Sequence, residues 1–188
     1  MLLVNGTLLA FKRNLGANSN LLFKLLENIM KEEFNMNETV FVGIDVGKTG
    51  SFTLLQKDND NIFQFKTKEL FNVLKFVSEE FDDISIVVER LWSRPGNRIS
   101  STWILAEEYG RTKGILESLG LEYKLVAPQT WQKYFKNNYG LKESKDYAER
   151  KENLFVIAKE IYPETIIRKY AADSVLIAYY AMKMSCIG

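Results

Sequence analysis

The chain has 188 residues, 46% apolar and 26% charged, enough for one domain with a sizeable core. It carries a net charge of +1, no histidine and one cysteine, Cys186. That excludes an internal disulfide framework, suits a reducing cytoplasm, and leaves only oxygen ligands for a metal site. No run reaches the roughly 18 apolar residues of a membrane span. The start, MLLVNGTLLAFKRN, puts its apolar run before its charges, the reverse of a secretory signal.

Residues 1–35 differ in pattern from the rest. Leu21–Met30 is weakly helical, but Asn14, Gly16, Asn18 and Asn20 break the pattern before it. Two readings stand side by side: a translated leader with the true start at Met36, or a helical appendage. The first expects a chain beginning at Met36 to suffice, so residues 36–188 are taken as the working domain. Apolar runs then predict strands at Val40–Val46, Ser51–Gln56 and Ile62–Phe65, forming a meander. Thr67 is placed to cap a helix through Glu80, with Leu70, Phe71, Leu74 and Val77 on one face. A fourth strand is expected at Ile84–Glu89, then a loop over Arg90–Arg98. Ser100 or Ser101 would cap a long helix to Leu119, and Leu121–Val126 reads as a fifth strand. Helices are predicted from Pro128 to Phe135, Ser144 to Ile161 and Tyr170 to Met184. The sum is a mixed α/β sheet of five strands flanked by helices.

Three carboxylates stand in apolar contexts. Asp45 lies in Phe-Val-Gly-Ile-Asp-Val-Gly, Glu89 ends Ile-Ser-Ile-Val-Val-Glu, and Asp173 opens Ala-Asp-Ser-Val-Leu-Ile-Ala. A carboxylate at the end of an apolar strand is costly to bury unless it is paired or binds a cation. Carboxylates without histidine favour Mg²⁺, with Mn²⁺ as a substitute. Simpler roles stand beside this: a strand-end cap for Asp45, a lone strand-end acid for Glu89, a dipole-complementing acid for Asp173. Gly43 to Thr49 is not a phosphate-binding P-loop, because it has three residues where the motif needs four, and a strand follows instead of a helix. A strand bearing Asp-x-Gly before a hairpin is shared by RNase H-like nucleases and actin-like kinases and ATPases.

Charge is segregated. Residues 36–89 carry five basic and ten acidic side chains, and residues 90–151 twelve basic and seven acidic. A metal-dependent enzyme acting on a polyanion would need such halves. Arg90, Arg94 and Arg98 surround Trp92, a combination suited to phosphates and an unpaired base. Lys133 and Lys136 are further candidates for DNA contact, while Trp131, Tyr134 and Phe135, which interleave with them, read as core. Ala106, Gly110 and Gly114 recur at four-residue spacing, which implies close approach to the sheet or to a second subunit.

The ordered set Gly-Ile-Asp-Val-Gly, Val-Val-Glu-Arg, Arg-Pro-Gly-Asn, Tyr-Gly-Arg-Thr-Lys-Gly, Val-Ala-Pro-Gln-Thr-Trp-Gln-Lys and Ala-Asp-Ser-Val-Leu-Ile-Ala-Tyr-Tyr covers most of residues 39–181. It resembles the phage-type RuvC Holliday junction resolvases. The resemblance implies an RNase H-like fold, a homodimer, and Mg²⁺-dependent paired nicking of four-way or branched DNA, with Asp45, Glu89 and Asp173 as catalytic metal ligands. It also implies a fourth ligand, usually acidic, three or four residues before the last Asp. Tyr170 and Lys169 stand there instead, and on a continuous helix they would share the face of Asp173. Two rivals remain: a junction-binding protein that does not cleave, and a fragment of an actin-like ATPase or kinase.

Overall fold

The computed structural model describes residues 19–47, 49–57, 59, 61–91 and 99–185, with side chains from residue 23 onward. Its strands are β1 (Val40–Asp45), β2 (Ser51–Leu55), β3 (Phe63–Lys66), β4 (Ile84–Glu89) and β5 (Tyr123–Val126). They lie in the order β3-β2-β1-β4-β5. The first three form an antiparallel meander, and β4 and β5 add in parallel beyond β1. Parallel neighbours need crossover connections. Helix α2 (Leu70–Glu80) lies in the connection that carries the chain from β3 across to β4 beside β1, and α3 (Ile99–Ser118) is the crossover from β4 to β5. Helix α1 (Ser19–Glu33) precedes the sheet; α4 (Pro128–Tyr139), α5 (Tyr147–Ile161) and α6 (Ala172–Ser185) follow it. This is the mixed five-stranded α/β sheet expected from the sequence.

The two-residue period of the strands sorts their side chains between two cores. Val40, Val42, Ile44, Phe52, Leu54, Ile86 and Val88 pack with Met30, Leu74 and Leu116 from α1, α2 and α3. Phe41, Leu55, Val87 and Val126 pack with Trp131, Leu154 and Val175 from α4, α5 and α6. Asp45 and Glu89 are in phase with Phe41 and Val87, so both belong to the α6 side. Gly43 is in the same phase. A Cβ there would lie 2.2 Å from the backbone nitrogen of Ala178 and 2.3 Å from the carbonyl oxygen of Ser174. Only glycine lets α6 lie this close on β1. Helix α6 is buried from Ala172 through Tyr179, as befits a helix that is apolar all round. Hydroxyls fix its first turn to β2: Ser174 Oγ is 3.0 Å from Ser51 Oγ and 2.8 Å from Thr53 Oγ1.

Several helix starts differ from expectation. Thr67 begins a 3₁₀ turn, Thr67–Glu69, rather than capping α2, and the Glu69 carboxylate accepts the Lys66 N–H at 3.1 Å. On α2 the buried residues are Leu70, Val73, Leu74, Phe76 and Val77, while Phe71 is exposed. Helix α3 starts at Ile99, ahead of Ser100 and Ser101, so neither serine precedes it as a cap. Helix α5 starts at Tyr147 rather than Ser144, and Asp146 caps it, accepting the Glu149 N–H at 2.8 Å. A 3₁₀ turn, Lys169–Ala171, precedes α6, which begins at Ala172 rather than Tyr170. Gly110 and Gly114 would meet nothing within 4 Å if given a Cβ, so their stripe is not packed on the sheet.

Helix α1 is joined to this body. Leu26, Met30 and Phe34 are buried in the second core. Lys31 pairs with Glu80 of α2 at 2.8 Å. The Gln56 side chain accepts the Asn35 N–H and donates to the Asn35 carbonyl, both at 2.7 Å.

Candidate metal centre

Asp45 is the last residue of β1 and Glu89 the last of β4. The parallel register pairs Ile44 with Val88, so one step further the two acids stand side by side. Asp173 is in the first turn of α6, and that helix is held over β1 by Gly43 and over β2 by Ser174. One carboxylate oxygen from each of the three lies within 4.8 Å of the others. The donors are all carboxylate oxygens on rigid elements, and they fit a hard divalent cation such as Mg²⁺ or Mn²⁺.

Crowding shows in the electrostatics. Burial first, and then the charge of Asp173, raise Asp45 to about 7 against the pull of Lys151 and Lys66. Burial and then the charge of Asp45 raise Glu89 to about 8. Such perturbed carboxylates mark functional sites more often than chance.

Two lysines flank the acids. Lys151 Nζ on α5 lies 2.6 Å from Asp173 Oδ2 and 3.9 Å from Asp45 Oδ2. Lys66 Nζ at the end of β3 sits 3.3 Å from the centre of the Tyr170 ring. Burial lowers its pKa, and Asp45 opposes that shift. The sequence reading did not single out either lysine. Lys151 precedes Leu154 and Ala158 by three and seven residues, so the buried stripe of α5 was the available signal.

No family model and no curated protein matches the chain by sequence. Solved structures do. Thermus thermophilus RuvC in complex with Holliday junction substrate is similar with a TM-score of 0.54 and 15% identity, covering 80% of this chain and 96% of that one. A second structure of Thermus thermophilus RuvC gives a TM-score of 0.51 and 16% identity, covering 78% and 96%. The yeast mitochondrial Holliday junction resolvase Ydc2 gives 0.47 and 16%, covering 91% and 87%. The fold is RuvC-like.

On this RuvC-like, RNase H-like scaffold the other candidates fall in different places. Arg90 directly follows β4, is exposed, and donates its backbone N–H to the Val126 carbonyl at 2.7 Å. Arg94 and Arg98 lie outside the described residues. Lys133 and Lys136 are exposed on α4, and Lys136 pairs with Glu143 at 2.6 Å. Trp131 and Phe135 are core residues, as expected. Lys169 does not turn to the acids: it is exposed and pairs with Glu152. The Tyr170 ring is covered by Lys66, and its hydroxyl accepts from Arg168 Nη1 at 3.3 Å. The 3₁₀ turn there breaks the helical spacing that would have put Lys169 and Tyr170 on the face of Asp173.

Proposed function

We propose that the chain is a divalent-metal-dependent endonuclease that nicks four-way or branched DNA. The observation that carries this reading is the convergence of Asp45, Glu89 and Asp173 within 4.8 Å at the adjoining ends of β1, β4 and α6. The RuvC-like fold adds support, since one solved relative is a complex with a junction. Asp45, Glu89 and Asp173 would hold the cation. When bound, a Mg²⁺ or Mn²⁺ ion supplies a Lewis acid that activates water and neutralises charge at phosphorus. The chain's own residues position the phosphate: the sheet fixes Asp45 and Glu89, and Arg90, Lys133 and Lys136, with Arg94 and Arg98, are the proposed backbone contacts. Affinity from such contacts is largely independent of sequence and sensitive to salt.

A homodimer would set two centres on opposed strands of a two-fold junction. The outer face of α3 suits that role. Ile99 is 88% exposed and Trp103 73%, and Ala106, Gly110 and Gly114 continue the same stripe without a bulky side chain.

The test is nicking of a synthetic four-way junction with and without Mg²⁺, beside a linear duplex of the same sequence. Metal-dependent nicks in the junction alone are expected. Binding without nicking in either Mg²⁺ or Mn²⁺ overturns the nuclease reading in favour of a junction-binding protein. Lys151, already seated on Asp173, is the observation that keeps that second reading in play.

A further inference from the structure

The cross-strand register carries a line of side chains along the end of the sheet that bears the acids. Asp45 of β1 is opposite Ser51 of β2, and Ser51 is opposite Lys66 of β3. Directly opposed residues of antiparallel strands point to the same face. Lys66 therefore stands on the α6 face, two strands and roughly 10 Å of backbone from Asp45. Two contacts settle its side chain: Nζ lies 3.3 Å from the centre of the Tyr170 ring and donates to the Thr49 carbonyl at 3.4 Å. The Tyr170 hydroxyl accepts from Arg168 Nη1 at 3.3 Å, so one side chain touches both cations. Ser51 Oγ donates to the Tyr170 carbonyl at 3.1 Å and ties that turn to the same line. Gln64, two residues before Lys66, pins the arginine's segment to β3. Its side chain accepts the Arg168 N–H and donates to the Ile166 carbonyl, both at 2.9 Å.

These cations lie outside residues 90–151, where basic side chains are in excess. Burial is the first cause that lowers the Lys66 pKa; Asp45 opposes it, while Arg168 and Lys68 add to it, so three positive charges act on one another here. Among the described residues, neither Lys66 nor Arg168 has a carboxylate within ion-pair distance. Asp45 is the acid that acts most strongly on Lys66, and a bound divalent cation would neutralise it. Like charges held together oppose folding unless an anion joins them. A guanidinium fork beside an ammonium suits the oxygens of a phosphate.

We propose that the β3 end of the sheet is a second phosphate subsite: Lys66 and Arg168, joined through Tyr170, bind a backbone phosphate of the strand being cut, at a short distance from the phosphate at the acids. A separation of roughly 10 Å is about three nucleotides at about 3.4 Å each. The strand runs across the sheet end from β1 over β2 to β3, so the gripped phosphate is on one side of the nick only. That the anion belongs to DNA rests on the nuclease reading above. Tyr170 is a positioning residue: it stands where the resemblance implied a metal ligand, and it props the two cations instead.

The experiment measures the affinity of the full chain, without metal, for four-way junctions in which one phosphate is replaced by an uncharged methylphosphonate. The replacement is moved one linkage at a time along a strand through the exchange point. The parent is compared with Lys66→Gln, Arg168→Gln and Lys66→Arg, each checked for a cooperative melt. At the gripped linkage the parent should lose on the order of tenfold in affinity. Both glutamine variants should be indifferent to the replacement at that one linkage and keep their losses elsewhere. Lys66→Arg, which retains the charge, should stay sensitive there. The log–log salt slope of each glutamine variant should be shallower by about 0.9. A lysine or arginine that merely props the fold would leave the pattern of sensitive linkages unchanged. A loss that persists at every linkage in either glutamine variant that melts cooperatively overturns the inference. So does a gripped linkage on both sides of the cut. Nicking in Mg²⁺, measured in parallel, separates the two claims. Nicking without a linkage silenced in the variants removes the subsite and keeps the nuclease. A silenced linkage without nicking removes the nuclease and keeps the subsite. A parent that binds no junction removes both.

Discussion

At the scale of single residues, the metal-holding role proposed for the three carboxylates is one that a neutral amide of the same shape could not fill. Losing an outer partner of a metal ligand typically costs about 10–100-fold, so losing a ligand itself should cost about 100-fold or more. Asp45→Asn, Glu89→Gln and Asp173→Asn are each expected to lower junction nicking by that amount while a gel-shift shows binding largely retained. Near-parental nicking by all three would move the centre elsewhere. The same residues make stability depend on pH. In the unfolded chain Asp45 and Glu89 ionise near their ordinary values of 3.8 and 4.5, whereas the folded protein raises them to about 7 and about 8. Between those limits the folded state holds protons that the unfolded state has released. The metal-free fold therefore loses stability as pH rises through this window, and the loss is complete above about pH 8. Melting temperatures taken from about pH 5 to about pH 8 should fall, and Asp45→Asn should flatten the decline. Added Mg²⁺ should raise the melting temperature more at the upper end than at the lower. A profile that is flat without metal would mean the acids are well solvated. Asp45 and Glu89 were legible in the sequence because each stands in or ends an apolar run whose alternation fixes its face. Asp173 was less so, since an acid in the first turn of a helix has an ordinary dipole role. Lys151 was hidden among the basic residues of its segment, because only the phase of Leu154 and Ala158 distinguishes it.

At the scale of elements, the site depends on how closely α6 lies on the sheet. Gly43 sets that distance, and any Cβ would strike backbone rather than a yielding side chain. Gly43→Ala is expected to push the helix outward, at a cost of about 1–3 kcal/mol or more for overpacking. In a chain of this length each kcal/mol corresponds to about 2–4 °C of melting temperature. Nicking should fall by more than the melting shift explains, because the displacement carries Asp173 away from Asp45 and Glu89. Comparable losses of stability in an α2 variant, such as Leu74→Ala, should leave the nicking rate of the folded protein nearly intact. If the two variants behaved alike, the spacing of α6 from β1 would have no special bearing on the centre. Strands and helices were readable from periodicity, but the approach that demands Gly43 was not, since nothing in a sequence states which helix crosses which strand. Helix starts were misread for a related reason: Thr67, Ser100 and Ser101 are good caps by composition, and the backbone turned elsewhere.

At the scale of the whole molecule, α1 closes one face of the sheet. A start at Met36 and a helical appendage are both open from the sequence; Leu26, Met30 and Phe34, which recur every fourth residue, are buried, and this supports the appendage. Burial of each such side chain is worth about 1.5–3 kcal/mol, and a domain has only about 5–15 kcal/mol in all. A chain beginning at Met36 should therefore melt far lower than the full chain, or without cooperativity. Matching melts would make residues 1–35 dispensable.

The parallel placement of β4 beside β1, with α6 laid across them, has a consequence during synthesis. The chain emerges from the ribosome in order, so Asp45 and Glu89 appear long before Asp173. Until α6 arrives, no three-acid centre exists, and Lys151 has no Asp173 to hold. On the nuclease reading, a half-made polypeptide cannot cut the DNA around it. Competence comes only when the helix that completes the core is in place.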